Sequence, residues 1–159
     1  MDTKMAELKA ERQELLERSC EQIIKQGRPG GKRKTCPYSG TSFACAYYST
    51  VDGEPVYCAV GALDHEMAKL AQERDMGAVD DWMASYSDDT YDEHLSVREI
   101  TPAWFVRHEG FLSALQDAHD EAGCKHYGDP GLFLEAFKAN ILKLCENYDL
   151  AAPDCVTRG

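Results

Sequence analysis

Cys45-Ala46-Tyr47-Tyr48-Ser49-Thr50-Val51-Asp52-Gly53-Glu54-Pro55-Val56-Tyr57-Cys58 is the stretch on which the fold turns. Residues 41–48 are aromatic, small or hydroxylated, and an Asp-Gly pair separates them from Pro55-Val56-Tyr57-Cys58. That pattern predicts a β-hairpin closed by a primed two-residue turn. With Asp52 and Gly53 as the loop, Val51 faces Glu54, Ser49 faces Val56, Tyr48 faces Tyr57 and Tyr47 faces Cys58. One face of the ribbon then carries Phe43, Cys45, Tyr47, Val56 and Cys58, the other Ala44, Ala46, Tyr48 and Tyr57. Neither face is polar, so helices are expected on both sides.

Working outward, Met5, Leu8, Leu15, Leu16, Cys20, Ile23 and Ile24 recur at three- and four-residue steps, which predicts one amphipathic helix over about 3–26, closed by Gly27. Arg28-Pro29-Gly30-Gly31-Lys32-Arg33-Lys34 mixes helix breakers with cations and reads, with the residues up to 40, as a flexible basic loop. It is either a solvated linker or an anion contact. On the other side, 59–74 reads as a helix with Val60, Leu63, Met67, Leu70 and Ala71 on one stripe. Segment 75–99 is an acidic insertion, expected as a short helix over 79–86 followed by loop. Thr101-Pro102 supplies an N-cap and first-turn proline for a helix over 101–121 with Phe105, His108, Leu112, Leu115 and His119 on one face. Asp129-Pro130 repeats the signal before Phe133, Phe137, Ile141, Leu144 and Tyr148. The expectation is a single mainly helical α+β domain over 1–159, with four to five helices packed around a small antiparallel hairpin.

The size, 159 residues, and the hydrophobic content, 43%, suffice for one domain with a real core. No apolar run approaches the roughly 20 residues of a membrane helix, and the start lacks a secretory stretch, so no membrane association and a cytoplasmic location are expected. Seventeen basic against 28 acidic residues leave a net charge of −11, which repels phosphates and disfavours nucleic-acid binding. The charge is uneven. Segment 1–34 has an excess of cations, whereas 75–99 holds Arg98 as its one cation among Asp75, Asp80, Asp81, Asp88, Asp89, Asp92, Glu93 and Glu99. Such a surface suits a protein partner with a basic patch. Seven cysteines without a C-x-x-C pair read as reduced thiols.

Three constellations have chemical potential. Cys58, at the expected strand-to-helix junction, would have its pKa lowered by first-turn amides, and His119 followed by Asp120 is the best base for it. The competing reading is that Cys58-Ala59-Val60-Gly61-Ala62 is a small-residue run for close packing and that His119 is a core histidine. Cys36, Cys45, Cys58, Cys124, His65 and His126 are spaced poorly for structural zinc, and no metal or other cofactor is expected. Finally, Asp80, Asp81, Asp88, Asp89, Asp92 and Glu93 around Trp82 could form a protein-contact surface, with a solvated loop as the plain alternative.

Cys45-Ala46-Tyr47, the Asp-Gly turn, Cys58-Ala59-Val60-Gly61-Ala62-Leu63 and Leu115-Gln116-Asp117-Ala118-His119-Asp120 resemble a group of small uncharacterised proteins of tailed bacteriophages and prophages. The likeness spans about 20–150. Relative to that group, 75–99 looks like an addition, and Asp64-His65-Glu66 replaces a usual Ile-Pro-Asp-Glu. The resemblance implies a setting in a bacterial host cell and a common architecture, and supplies no activity to carry over. The leading expectation is a non-enzymatic accessory protein for host takeover or counter-defence that inhibits a host protein through the acidic segment. The alternatives are a cysteine hydrolase or transferase using Cys58, His119 and Asp120 or Gln116, and a nucleotide-signal sponge. In the sponge, Tyr47, Tyr48 or Tyr57 would stack on a base while Arg28, Lys32, Arg33 or Lys34 hold phosphates.

Overall fold

Alternating charged and apolar residues wind Thr3–Gln26 into α1, whose inner face buries Leu15, Leu16, Cys20 and Ile23. Gly27, at φ 74°, ends it and returns its N–H to the Ile23 carbonyl. The computed structural model describes residues 3–36, 40–87 and 93–158. The fold is α+β and mainly helical, as the sequence predicts.

The ribbon differs from expectation in its extent. β1 (Gly31–Cys36) and β2 (Gly40–Cys45) pair antiparallel, and β3 (Tyr48–Val51) and β4 (Glu54–Tyr57) form a second hairpin. The predicted register of the second is observed: Tyr48 faces Tyr57, Ser49 faces Val56 and Val51 faces Glu54. Asp52 and Gly53, at φ 53° and 81°, make the primed turn. The long ribbon carrying both Cys45 and Cys58 does not form, because the chain leaves the ladder at Ala46 and Tyr47 and 41–45 pairs backwards with the basic segment. The loop expected over 27–40 is therefore strand over Gly31–Cys36. Its cations suit a strand at a sheet edge, and Ala46 N–H to the Gly30 carbonyl (3.2 Å) adds one further rung. The side chains of 32–45, Lys32, Arg33 and Lys34 among them, lie outside the described set.

The helix expected from residue 59 begins later. After Cys58 the chain makes a tight turn and a 3₁₀ turn at Gly61–Leu63, and α2 is His65–Glu73, capped by Asp64 accepting from Met67 N–H at 3.0 Å. α3 is Val79–Ser87, close to prediction, but the loop expected after it contains α4, Glu93–Ile100, which buries Val97 and Ile100. Those two apolar residues sit three apart, enough for one buried stripe on a two-turn helix. The helix expected over 101–121 is broken at His108 into α5 (Ala103–Arg107) and α6 (Glu109–Lys125). Thr101 is not the cap: its hydroxyl donates to the Val97 carbonyl and accepts Trp82 Nε1–H at 2.7 Å. α7 is Pro130–Tyr148, opened by Asp129 accepting from Leu132 N–H at 3.0 Å, and α8 is Asp154–Thr157.

One cluster of buried side chains joins these elements, with Leu16 and Ile23 of α1, Phe105 of α5, Leu112 and Leu115 of α6 and Phe133, Phe137 and Ile141 of α7 at its centre. α6 packs along α7, and α3 packs against α4 and α6. Among the described residues no helix is long and apolar enough to cross a membrane.

Candidate functional site

The turn after β4 is held from two sides, by α1 and α6, and residues singled out for chemistry lie at the same junction. From α1, the Gln26 amide donates to the Tyr57 carbonyl at 2.7 Å and accepts Tyr57 N–H at 3.0 Å, which continues the β4 edge with a side chain. Ser19 donates to the Ala59 carbonyl at 2.7 Å and Arg18 to that of Leu63 at 2.5 Å. From α6, Gln116 accepts Val60 N–H at 3.2 Å. These contacts satisfy backbone groups that a buried irregular turn would otherwise leave bare.

His119 and Asp120 complete the arrangement. His119 is fully buried, and its Nε2 accepts the Gly30 N–H at 3.0 Å. A neutral ring that accepts at Nε2 carries its proton on Nδ1, which lies 2.9 Å from Asp120 Oδ1. The same oxygen accepts the Gln116 amide at 2.6 Å. A Gln-His-Asp set on successive turns of α6 thus clasps the 30 and 60 loops together. The edges of Phe133 and Phe137 enclose the imidazole, with ring centroids 5.7 and 6.4 Å away.

Cys58 lies at the same junction, also fully buried, and its sulfur accepts Gly61 N–H at 3.4 Å. It does not stand at the start of an α-helix, because 59–63 are turn and 3₁₀ turn, so the helix-dipole activation expected from sequence has no helix to supply it. Both ring nitrogens of His119 are engaged by Gly30 and Asp120, and the nitrogen that would take a thiol proton is the one bonded to Gly30. The packing is close: a Cβ on Gly30 would fall 2.3 Å from the Tyr57 carbonyl carbon, and one on Gly61 2.1 Å from the Tyr47 oxygen. The run of small residues signalled this for Gly61; Gly30 read only as a breaker, because its neighbour lies 27 or more residues along the chain.

Elsewhere, burial pushes the Cys20 thiol up, with Cys155 and Cys145 adding to it, and burial also raises Cys145 and Cys155. Among the described residues no group of three or more His, Cys, Asp or Glu side chains is placed to hold a metal ion. The tyrosines proposed for base stacking are occupied within the fold. Tyr47 is buried against Trp82 and donates to the Gly77 carbonyl, the Tyr57 ring is stacked on His65 at 4.0 Å, and Lys69 lies over Tyr48. An open cleft of about 380 Å³ is lined by Arg18, Ala62, Leu63, Asp64, His65 and Trp104, and neither Cys58 nor His119 lines it.

The acidic constellation divides. Asp80 and Asp81 are exposed on the first turn of α3. Trp82 is not a contact residue: it is fully buried, edge-on to Tyr47 and 4.4 Å in centroid distance from Phe105, because α3 is amphipathic and turns its indole inward. Asp88, Asp89 and Asp92 lie outside the described residues, as does the side chain of Glu93. The packing of α3 on α6 adds partners that the sequence did not place there. Ser113 donates to Asp80 at 3.4 Å, and burial, then Asp120, Asp80 and Glu121, hold the Asp117 carboxyl above its ordinary pKa. Compared with known proteins, the chain matches no family model, no curated protein and no solved structure.

Proposed function

We propose that this is a non-enzymatic, phage-type accessory protein that binds and inhibits a host protein through an acidic face, centred on the exposed side of α3 and α6. The observation that carries the reading is the packing of α3 on α6, where Ser113 donates to Asp80 at 3.4 Å and the exposed Asp80 of α3 is added to the exposed Asp117 and Glu121 of α6, two helices distant in sequence. Carboxylates held this close repel one another, and a partner's Lys or Arg side chains relieve that repulsion on binding. Burial of Cys58 and engagement of both His119 nitrogens speak for a structural clasp there rather than a nucleophile and its base. Of the two alternatives, the sponge loses its stacking rings to internal partners.

The test is capture from a bacterial lysate with the wild-type chain and with Asp80→Asn, Asp81→Asn, Asp117→Asn and Glu121→Gln combined. The expected result is a captured protein whose yield falls at least about tenfold in the variant, and also between about 0.1 M and 1 M salt, where the Debye length contracts from about 10 to 3 Å. Equal capture by both chains, unaffected by salt, would remove the acidic face from the function.

A further inference from the structure

We propose that Glu11, Arg12, Arg107 and His108 form an acid-released latch that pins α1 to the corner between α5 and α6. His108 is the residue at which the two helices part, at φ −116° and ψ 27°. Its N–H reaches the Trp104 carbonyl at 3.1 Å and its carbonyl receives Leu112 N–H at 2.9 Å, so its backbone belongs to both helices and its ring has little freedom. The side chain is fully buried. Arg12 Nε–H donates to Nδ1 at 3.3 Å, which places the proton of the neutral ring on Nε2. That nitrogen lies 3.4 Å from Glu11 Oε1, near enough for attraction but outside hydrogen-bonding geometry, and it is a buried side-chain nitrogen without a hydrogen-bond partner. Glu11 is held instead by the Arg107 guanidinium, at 2.6 and 2.9 Å to its two oxygens.

Protonation of this ring has a defined mechanical effect. A proton on Nδ1 takes away the lone pair that Arg12 uses. It also sets a third cation beside Arg12 and Arg107 with the single carboxylate of Glu11 to balance them. The charged and titratable groups around the ring are Glu11 and Arg12 on α1, Arg107 on α5 and the exposed Glu109 on α6; Tyr148 on α7 lies under the Arg12 guanidinium, 5.5 Å away. Desolvation keeps the imidazole below its ordinary pKa of 6.5; Glu11 opposes this, and Arg12 and Arg107 reinforce it. The unfolded chain therefore takes up the proton first on acidification. Stability from the neutral latch is complete above pH 6.5 and is lost as the pH falls from there toward the folded value.

The experiment compares the full wild-type chain with His108→Gln, whose amide can accept from Arg12 and donate to Glu11 without titrating. Denaturant unfolding and hydrogen exchange are followed from about pH 7.5 to about pH 5.5. The wild-type folding constant is expected to fall more steeply than the variant's, by up to about tenfold per pH unit for one proton, with faster exchange at residues 103–108 before α7. Equal slopes in the two proteins overturn the latch. Should the variant not fold, proton NMR of the wild-type His108 ring decides alone: titration centred below 6.5 supports the latch, and titration at or above 6.5 overturns it.

Discussion

At the scale of single residues, what the 60 turn needs is space and donors, and this can be measured. Gly30→Ala and Gly61→Ala each force a methyl group into backbone, and each is expected to destabilise by about 1–3 kcal/mol or more in denaturant unfolding. His119→Ala leaves the buried Gly30 N–H without its acceptor and opens a void between Phe133 and Phe137, with an expected cost of about 3–5 kcal/mol. Cys58→Ala is expected to cost only about 1 kcal/mol and to leave the proposed partner capture unchanged. In the folded protein, iodoacetamide followed by mass spectrometry should leave Cys58 and Cys20 unmodified while Cys124, which is partly exposed, reacts. Rapid native labelling of Cys58 would return the nucleophile to consideration.

At the scale of elements, the predictions concern caps and buried faces. Asp129→Ala removes the N-cap of α7 and is expected to lower stability by about 1 kcal/mol; Trp82→Ala, which unpacks α3 from Tyr47 and Phe105, should cost about 3–5 kcal/mol. Elements with local signals could be read from the chain: α1 from its stripe and Gly27, α7 from Asp129-Pro130, and the β3–β4 register from Asp52-Gly53. Those that depend on distant partners could not. Lys32-Arg33-Lys34-Thr35 has no strand pattern of its own and becomes β1 only because β2 pairs with it. The break at His108 likewise has no proline to announce it, and Gly110, two residues on, lies inside α6; the Arg12 side chain of α1 engages the ring there. Of the site, His119, Asp120 and Gln116 were picked out in the sequence, whereas the donors they accept from, the Gly30 and Val60 N–H groups, come from loops that only the tertiary fold brings near.

At the scale of the whole molecule, charge and acid act together. With a net charge of −11, association with the proposed basic partner would be long-ranged, so its association rate should fall steeply with ionic strength while the dissociation rate changes little, as stopped-flow mixing at several salt concentrations would record. The acid response should run in the same sense as that of a paired carboxylate, a loss of stability as the pH falls, but should begin near neutrality rather than near pH 4. The two tryptophans give this behaviour an optical signature. Trp82 is sealed in the core, and Trp104 borders the open cleft on α5, one turn before His108. Iodide should therefore quench one emitter and spare the other, and loosening of the α5 corner should brighten or dim a single colour of the fluorescence, so the chain contains its own two-channel gauge of local against global opening.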